Sequence, residues 1–282
     1  MILPLPESFE RHVLRLRRGT VEAIRHPAAT TGPAPGRGET VVMVPGHFGS
    51  KEDFRLVMPL LAASGYDCWA YDYTDQFSAT GLDSYNDYTL ELLAADLVEL
   101  VGDRRVHYLG HCMGGLVARR AVLDRPSRAR SLTLACCGPH LHEVRHRAMW
   151  TGLDAMLATS GLMGMWPTVQ RLLPEDDEVL SGFWRYKLQA MNHAYVQGTA
   201  DSMRVTPDLT AELAGSGVPV LVLYGSRDRR LWTHEAYHDM AVRLGATEAV
   251  LPGAAHSPVM ERPEATVMTM LDLLETAREV CR

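Results

Sequence analysis

The sequence predicts an α/β fold: a mostly parallel sheet with helices on both faces. Three observations predict it. Short apolar runs alternate with longer stretches of helical periodicity. The runs are apolar throughout, rather than at every second residue, as in strands covered on both sides. One run leads into Gly110-His111-Cys112-Met113-Gly114, with Gly115 behind, and a helical pattern follows at once.

Residues 9–26 open the chain with two alternating runs, Val13–Leu16 and Val21–Ile24, around Gly19, which predict a hairpin at a sheet edge. The Pro-, Gly- and Thr-rich stretch Ala28–Gly38 reads as a surface loop. Thr40–Val44 is the first fully buried strand, and Pro45-Gly-His-Phe-Gly-Ser50 follows it. Residues 52–64 read as a helix and Tyr66–Asp72 as a second buried strand. Ser84–Asp87 has the form of a capping box, and behind it Leu90, Leu93, Leu97 and Val101 share a helical face that Gly102 ends. Arg105–Leu109 is the strand entering the glycine-flanked turn, Leu116–Leu123 the helix leaving it, and Ser131–Cys136 the next strand.

Residues 139–210 break this rhythm. Met149, Met156, Met163, Trp166, Phe183, Trp184, Met191 and Tyr195 recur at helical spacing with no strand pattern between them. A helical insertion therefore divides the chain into 1–138, 139–210 and 211–282. Alternation resumes with the strand Val218–Tyr224, a helix over Thr233–Leu244, the short strand Thr247–Leu251 and a final amphipathic helix over Pro263–Val280.

In parallel sheets of this kind reactive groups gather at the carboxyl ends of strands. Three strand ends carry them here: Cys112, then Asp228 in Gly225-Ser-Arg-Asp228, then His256 in Leu251-Pro-Gly-Ala-Ala-His256. A strand–tight turn–helix junction of the form Gly-x-nucleophile-x-Gly makes Cys112 the candidate nucleophile. Nucleophilic acyl chemistry needs a base and an orienting acid, which His256 and Asp228 supply. It also needs donors aimed at the developing oxyanion, and the elbow offers the backbone N–H of Met113. The helix N-terminus behind Cys112 favours a thiolate.

These pieces resemble the α/β-hydrolase superfamily from Val41 to the last helix, with residues 139–210 as its cap. Pro45–Ser50 is similar to that family's His-Gly-x-x-Gly-Ser loop, with Pro45 in place of the usual histidine. Gly-His-Cys-Met-Gly-Gly is similar to its elbow, with cysteine in place of serine. Nucleophile, acid and histidine follow in the family's order. The resemblance implies a Cys112–His256–Asp228 triad and a second oxyanion donor in the backbone N–H of His47. Cysteine at the elbow resembles polyhydroxyalkanoate synthases, certain thioesterase-type enzymes and dienelactone hydrolases.

A thiol nucleophile forms a thioester, which amines and thiols attack well relative to water. The sequence thus predicts a thioesterase or acyltransferase acting on an apolar ester or thioester, free or carrier-bound. A small-ester or lactone hydrolase is the alternative within the class, and a catalytically silent ligand-binding scaffold the alternative outside it. No metal or organic cofactor is implied. The net charge of −6 argues against nucleic acid or an anionic membrane as partner. The start of the chain, with two early prolines and no basic segment, makes a poor signal peptide. No apolar run is long enough to span a membrane. The five cysteines follow neither a metal-binding nor a disulfide spacing, which predicts a reducing, cytoplasmic setting. Oligomeric state has no signature.

Overall fold

The structure is a computed structural model that describes residues 3–30, 38–77, 82–141, 143–171 and 177–280. Cys281 and residues 31–37 of the predicted loop lie outside them. The strands are β1 (Glu10–Arg15), β2 (Thr20–His26), β3 (Glu39–Val44), β4 (Tyr66–Tyr71), β5 (Val106–His111), β6 (Ala129–Ala135), β7 (Val220–Gly225) and β8 (Thr247–Leu251). They form one sheet in the order β1-β2-β4-β3-β5-β6-β7-β8. The β1–β2 hairpin and the β2–β4 pair are antiparallel, and every pair from β4 through β8 is parallel.

This order puts the site where it is. The chain steps from β3 outward to β4, then returns to lay β5 on the other side of β3. At such a reversal the loops leaving adjacent strands diverge and open a crevice. Here those loops are Pro45–Ser50 after β3 and the Cys112 turn after β5.

Both faces of the sheet are buried, as the uninterrupted apolar runs require. Val42, Val44 and Tyr108 face one layer, built from α2 (Leu90–Val101), α3 (Met113–Asp124) and α9 (His234–Leu244). Val41, Met43 and Leu109 face the other, built from α1 (Val57–Ala63) and α11 (Pro263–Val280), which buries Met270 and Leu274. Side chains alternate faces along a strand, so each apolar run feeds two cores.

Two helix boundaries differ from expectation. The stretch 52–64 is a 3₁₀ turn, Lys51–Phe54, followed by α1; Pro59 lies in the first turn of α1, where a missing N–H costs nothing. Ser84 caps only the short 3₁₀ turn Tyr85–Tyr88. The chain extends again at Thr89, whose hydroxyl accepts from Leu92 N–H and is the true cap of α2.

Between β6 and β7 the described residues contain no strand. They form α4 (Glu143–Ser160), a 3₁₀ turn (Leu162–Met165), α5 (Trp166–Gln170), α6 (Glu178–Ala190) and α7 (His193–Val205). The next helix, α8 (Thr210–Gly215), packs on α3 and α9 and so belongs to the core. Of the residues marked by helical spacing, Phe183, Met191 and Tyr195 are buried, while Met149 and Met163 are exposed. The short helix α10 (Pro258–Glu261) follows β8.

Candidate active site

The Cys112 turn is set by close backbone packing. A Cβ on Gly110 would stand 2.5 Å from the carbonyl oxygen of Gly114, and one on Gly114 would stand 2.1 Å from that of Val44. Only glycine allows the strand and helix to approach so closely. Cys112, between them, has φ +53° and ψ −121°, a conformation costly for any side chain. Its N–H is held by the carbonyl of Ala135, and its carbonyl accepts from Gly115 N–H. Cys112 is only 6% exposed.

His256 stands between Cys112 and Asp228. Its imidazole acts on the thiol, as does the N–H of Met113 at the start of α3. On the other side, His256 Nδ1 donates to both carboxylate oxygens of Asp228 at 3.1 Å. Asp228 is fully enclosed and accepts two further bonds, from Arg230 N–H at 3.0 Å and Tyr237 Oη at 2.9 Å.

The electrostatics follow from this arrangement. Burial alone would push the Cys112 thiol up, but the facing His256 charge and hydrogen bond, the charge of Arg230 and Met113 N–H bring it below its ordinary value. Burial would push His256 down, but Cys112 and Asp228 raise it to about 9. Burial likewise opposes ionisation of Asp228, yet His256, Arg230 N–H and Tyr237 hold it well below the usual carboxylate range. Cys136, at the end of β6, is raised well above a normal thiol by burial and by the Asp228 charge.

His47 lies in the loop opposite Cys112. Its imidazole is buried rather than solvated: Nε2 donates to the carbonyl of Val196 at 3.0 Å, and burial holds it neutral, near 4. Its own carbonyl accepts from Tyr195 Oη at 2.9 Å. Helix α7 therefore grips the loop twice. Among the described residues the N–H of His47 has no acceptor. His111 supports the histidine loop, its Nε2 donating to the carbonyl of His256 at 2.6 Å.

Two contributors escaped the sequence reading. Tyr237, nine residues beyond the acid on α9, braces Asp228 across a helical turn that no local pattern marks. The grip of α7 on the β3 loop joins residues about 150 positions apart. Among the described residues one trio has metal-donor spacing, Cys136, Asp228 and His256, with ligand atoms within 4.8 Å of one another. Two of its members already bond each other, and a metal there would break the His256–Asp228 contact. A recess beneath α6, lined by Lys51, Glu52, Phe77, Tyr186 and Lys187, lies apart from these groups. It holds the chain's two lysines, buried against acids: Lys187 Nζ stands 3.5 Å from Asp53, and Lys51 Nζ 3.2 Å from Glu22.

Comparison with known proteins agrees with this architecture. The model of the alpha/beta hydrolase family matches residues 41–269, and the chain belongs to that family. It is an enzyme of the α/β-hydrolase type. RutD of Variovorax paradoxus, named as a carbamate hydrolase, is 32% identical over 117 residues, covering 39% of this chain and 43% of that protein. RutD of Pseudomonas savastanoi pv. phaseolicola, of the same name, is 25% identical over 225 residues, covering 74% and 83%. The enol-lactonase of Burkholderia xenovorans LB400 shares the fold, with a TM-score of 0.77 at 18% identity over 94% of this chain and 100% of that one. Among the described residues no helix is long and apolar enough to cross a membrane.

Proposed function

We propose that this hydrolase works by covalent acyl transfer through Cys112, with His256 as acid–base and Asp228 as orienting acid. The observation that carries the reading is the strained, glycine-flanked Cys112 beside a His256 that is bonded to Asp228, with the thiol lowered and the imidazole raised to about 9. Those opposite shifts are what a thiolate–imidazolium pair requires.

The thiolate of Cys112 adds to the carbonyl of an ester or thioester. The N–H groups of Met113 and His47 take the charge that develops on the carbonyl oxygen. The tetrahedral adduct collapses as His256 gives its proton to the leaving oxygen or sulfur, leaving an acyl thioester on Cys112. His256, now neutral, takes a proton from water or another acceptor, and the thioester is cleaved. Asp228 keeps the proton on Nδ1 throughout, so that Nε2 faces the reaction.

The apolar and aromatic residues of the cap favour an apolar acyl group, small or carrier-bound. Hydrolysis of a small ester or lactone is the second reading, favoured by the fold shared with the enol-lactonase. Four free cysteines buried in the core suit a reducing cytoplasm.

The test is intact mass after brief exposure to p-nitrophenyl butyrate. Wild type is expected to gain one butyryl group and Cys112→Ala none, with turnover falling at least about a thousandfold. An adduct on both proteins, or unimpaired turnover by Cys112→Ala, contradicts the reading. Product analysis with added hydroxylamine separates transfer from hydrolysis.

A further inference from the structure

The loop that carries the acid is strongly basic. Arg227, Arg229 and Arg230 surround Asp228 in a chain of net charge −6. The three arginines differ in what they do. Arg229 folds back, donating to the carbonyl of Asp228 at 2.8 Å and meeting His234. Arg227 is exposed. Arg230 is fixed at the backbone and free at the side chain. Its N–H is bound to Asp228 Oδ1 at 3.0 Å. The next carbonyl, of Leu231, accepts from His146 Nε2 of α4 at 2.6 Å, and Trp232 Nε1 donates to the carbonyl of His140 at 2.7 Å.

Arg230 is thus pinned at the seam between core and cap, one hydrogen bond from the carboxylate that holds His256. Its guanidinium is exposed and has no hydrogen-bond or ion-pair partner among the described residues. Its charge nevertheless acts on Cys112, His47 and His111. The other cation acting on His47, Arg204 on α7, is already spent: it bonds Asp154 at 2.7 Å and Asp201 at 2.8 Å and lies over Trp150.

The geometry points to Arg230 as the group that captures an anion on the substrate, a carboxylate or a phosphate, and brings that substrate to Cys112. A guanidinium presents a planar fork of donors matched to either anion. The substrates are then acyl compounds with a negative charge at one end and an apolar body under the cap. This inference rests on Cys112 being the nucleophile and adds the substrate's charge to it.

Two kinds of measurement test it. Alkylation of Cys112 by iodoacetate against iodoacetamide compares an anion with a neutral isostere and needs no turnover. The ratio of the two rates cancels any change in thiolate fraction. It is expected to fall about tenfold in Arg230→Gln, as loss of one charge-assisted contact implies, and less in Arg230→Lys. Ratios of kcat/KM then locate the anion. For p-nitrophenyl hemiglutarate against p-nitrophenyl valerate, a fall in Arg230→Gln assigns a carboxylate on the acyl side. For butyryl-coenzyme A against butyryl-N-acetylcysteamine, a fall assigns phosphate on the leaving group. Equal ratios in wild type and Arg230→Gln for all three pairs overturn the inference. A fall in the alkylation ratio without turnover of any ester keeps Arg230 as an anion site and overturns acyl transfer instead.

Discussion

Strand β5 and helix α4 are built on opposite terms. All six residues of β5 are buried, and the turn that follows is held by backbone approaches that a single methyl group would break. Of the described side chains of α4, only His146 and Trp150 are buried. The sheet is fixed by burial and by close packing spread over two cores, where a change of one methylene is felt. The cap meets the core through apolar packing of α7, whose Tyr195, Val196 and Met203 join the buried cluster of Val44 and Tyr73, and through separate polar contacts: His146 to Leu231, His47 to Val196, Tyr195 to His47, and Lys187 to Asp53. The lesson is a division of labour. The sheet edge holds Cys112, Asp228 and His256 in register, and the cap adds to its apolar packing a set of polar contacts that can be removed singly.

The two regions should therefore fail differently. Asp228→Asn attacks the sheet edge. The asparagine amide competes with the Nδ1 proton for the same position, so His256 turns to the wrong tautomer while the fold stands. We expect kcat to fall by about a thousandfold with the thermal midpoint little changed. Steady-state kinetics beside a melting curve checks this, and a loss of stability in proportion to the loss of rate would break the distinction.

Lys187→Met attacks the cap. Lys187 is 1% exposed, and its ammonium pairs with buried Asp53 and lies over the rings of Phe183 and Trp184. Its removal leaves a buried carboxylate without its counter-ion, which costs about 3 kcal/mol. Asp53 is already raised by burial, with Lys187 opposing the rise, and the variant should push it higher. Amide exchange should quicken in α6 and α7 before it does in β5, because cap and sheet open separately. The pH profile of Cys112 reactivity should keep its midpoint, since Lys187 bonds none of the triad. Simultaneous loosening of α6 and β5 would show that the cap and sheet are one cooperative unit.

Much of the sheet was legible because a buried parallel strand leaves an unmistakable signature. Val41–Val44 and Leu221–Leu223 had no other reading, and the order Cys112, Asp228, His256 followed from where strands end. Helix starts were less legible: Ser84 and Thr89 both have capping side chains, and only the extended backbone at Thr89 decides which one begins α2. The cap read correctly as helical, but its contacts were invisible. Tyr195 and His47 are far apart in sequence, and a hydroxyl on a carbonyl leaves no periodic trace. Tyr237 was hidden likewise, its ring filling a core position while its hydroxyl serves Asp228. Arg230 looked like one more arginine in a chain with only two lysines.

The central claim is that Cys112 and His256 form a thiolate–imidazolium pair, and its direct test is the rate of Cys112 alkylation by iodoacetamide as a function of pH. The thiol is lowered, so the thiolate forms on raising the pH through a midpoint below about 8.5, the ordinary cysteine value. His256 remains protonated up to about 9, so kcat/KM for an ester should rise on the acid side with the thiolate and fall again near pH 9 as the imidazolium is lost. In His256→Ala the thiolate loses its partner, and the alkylation midpoint should move up past the ordinary value, because burial then acts with less opposition. A wild-type midpoint at or above about 8.5 that His256→Ala leaves unmoved would contradict the account.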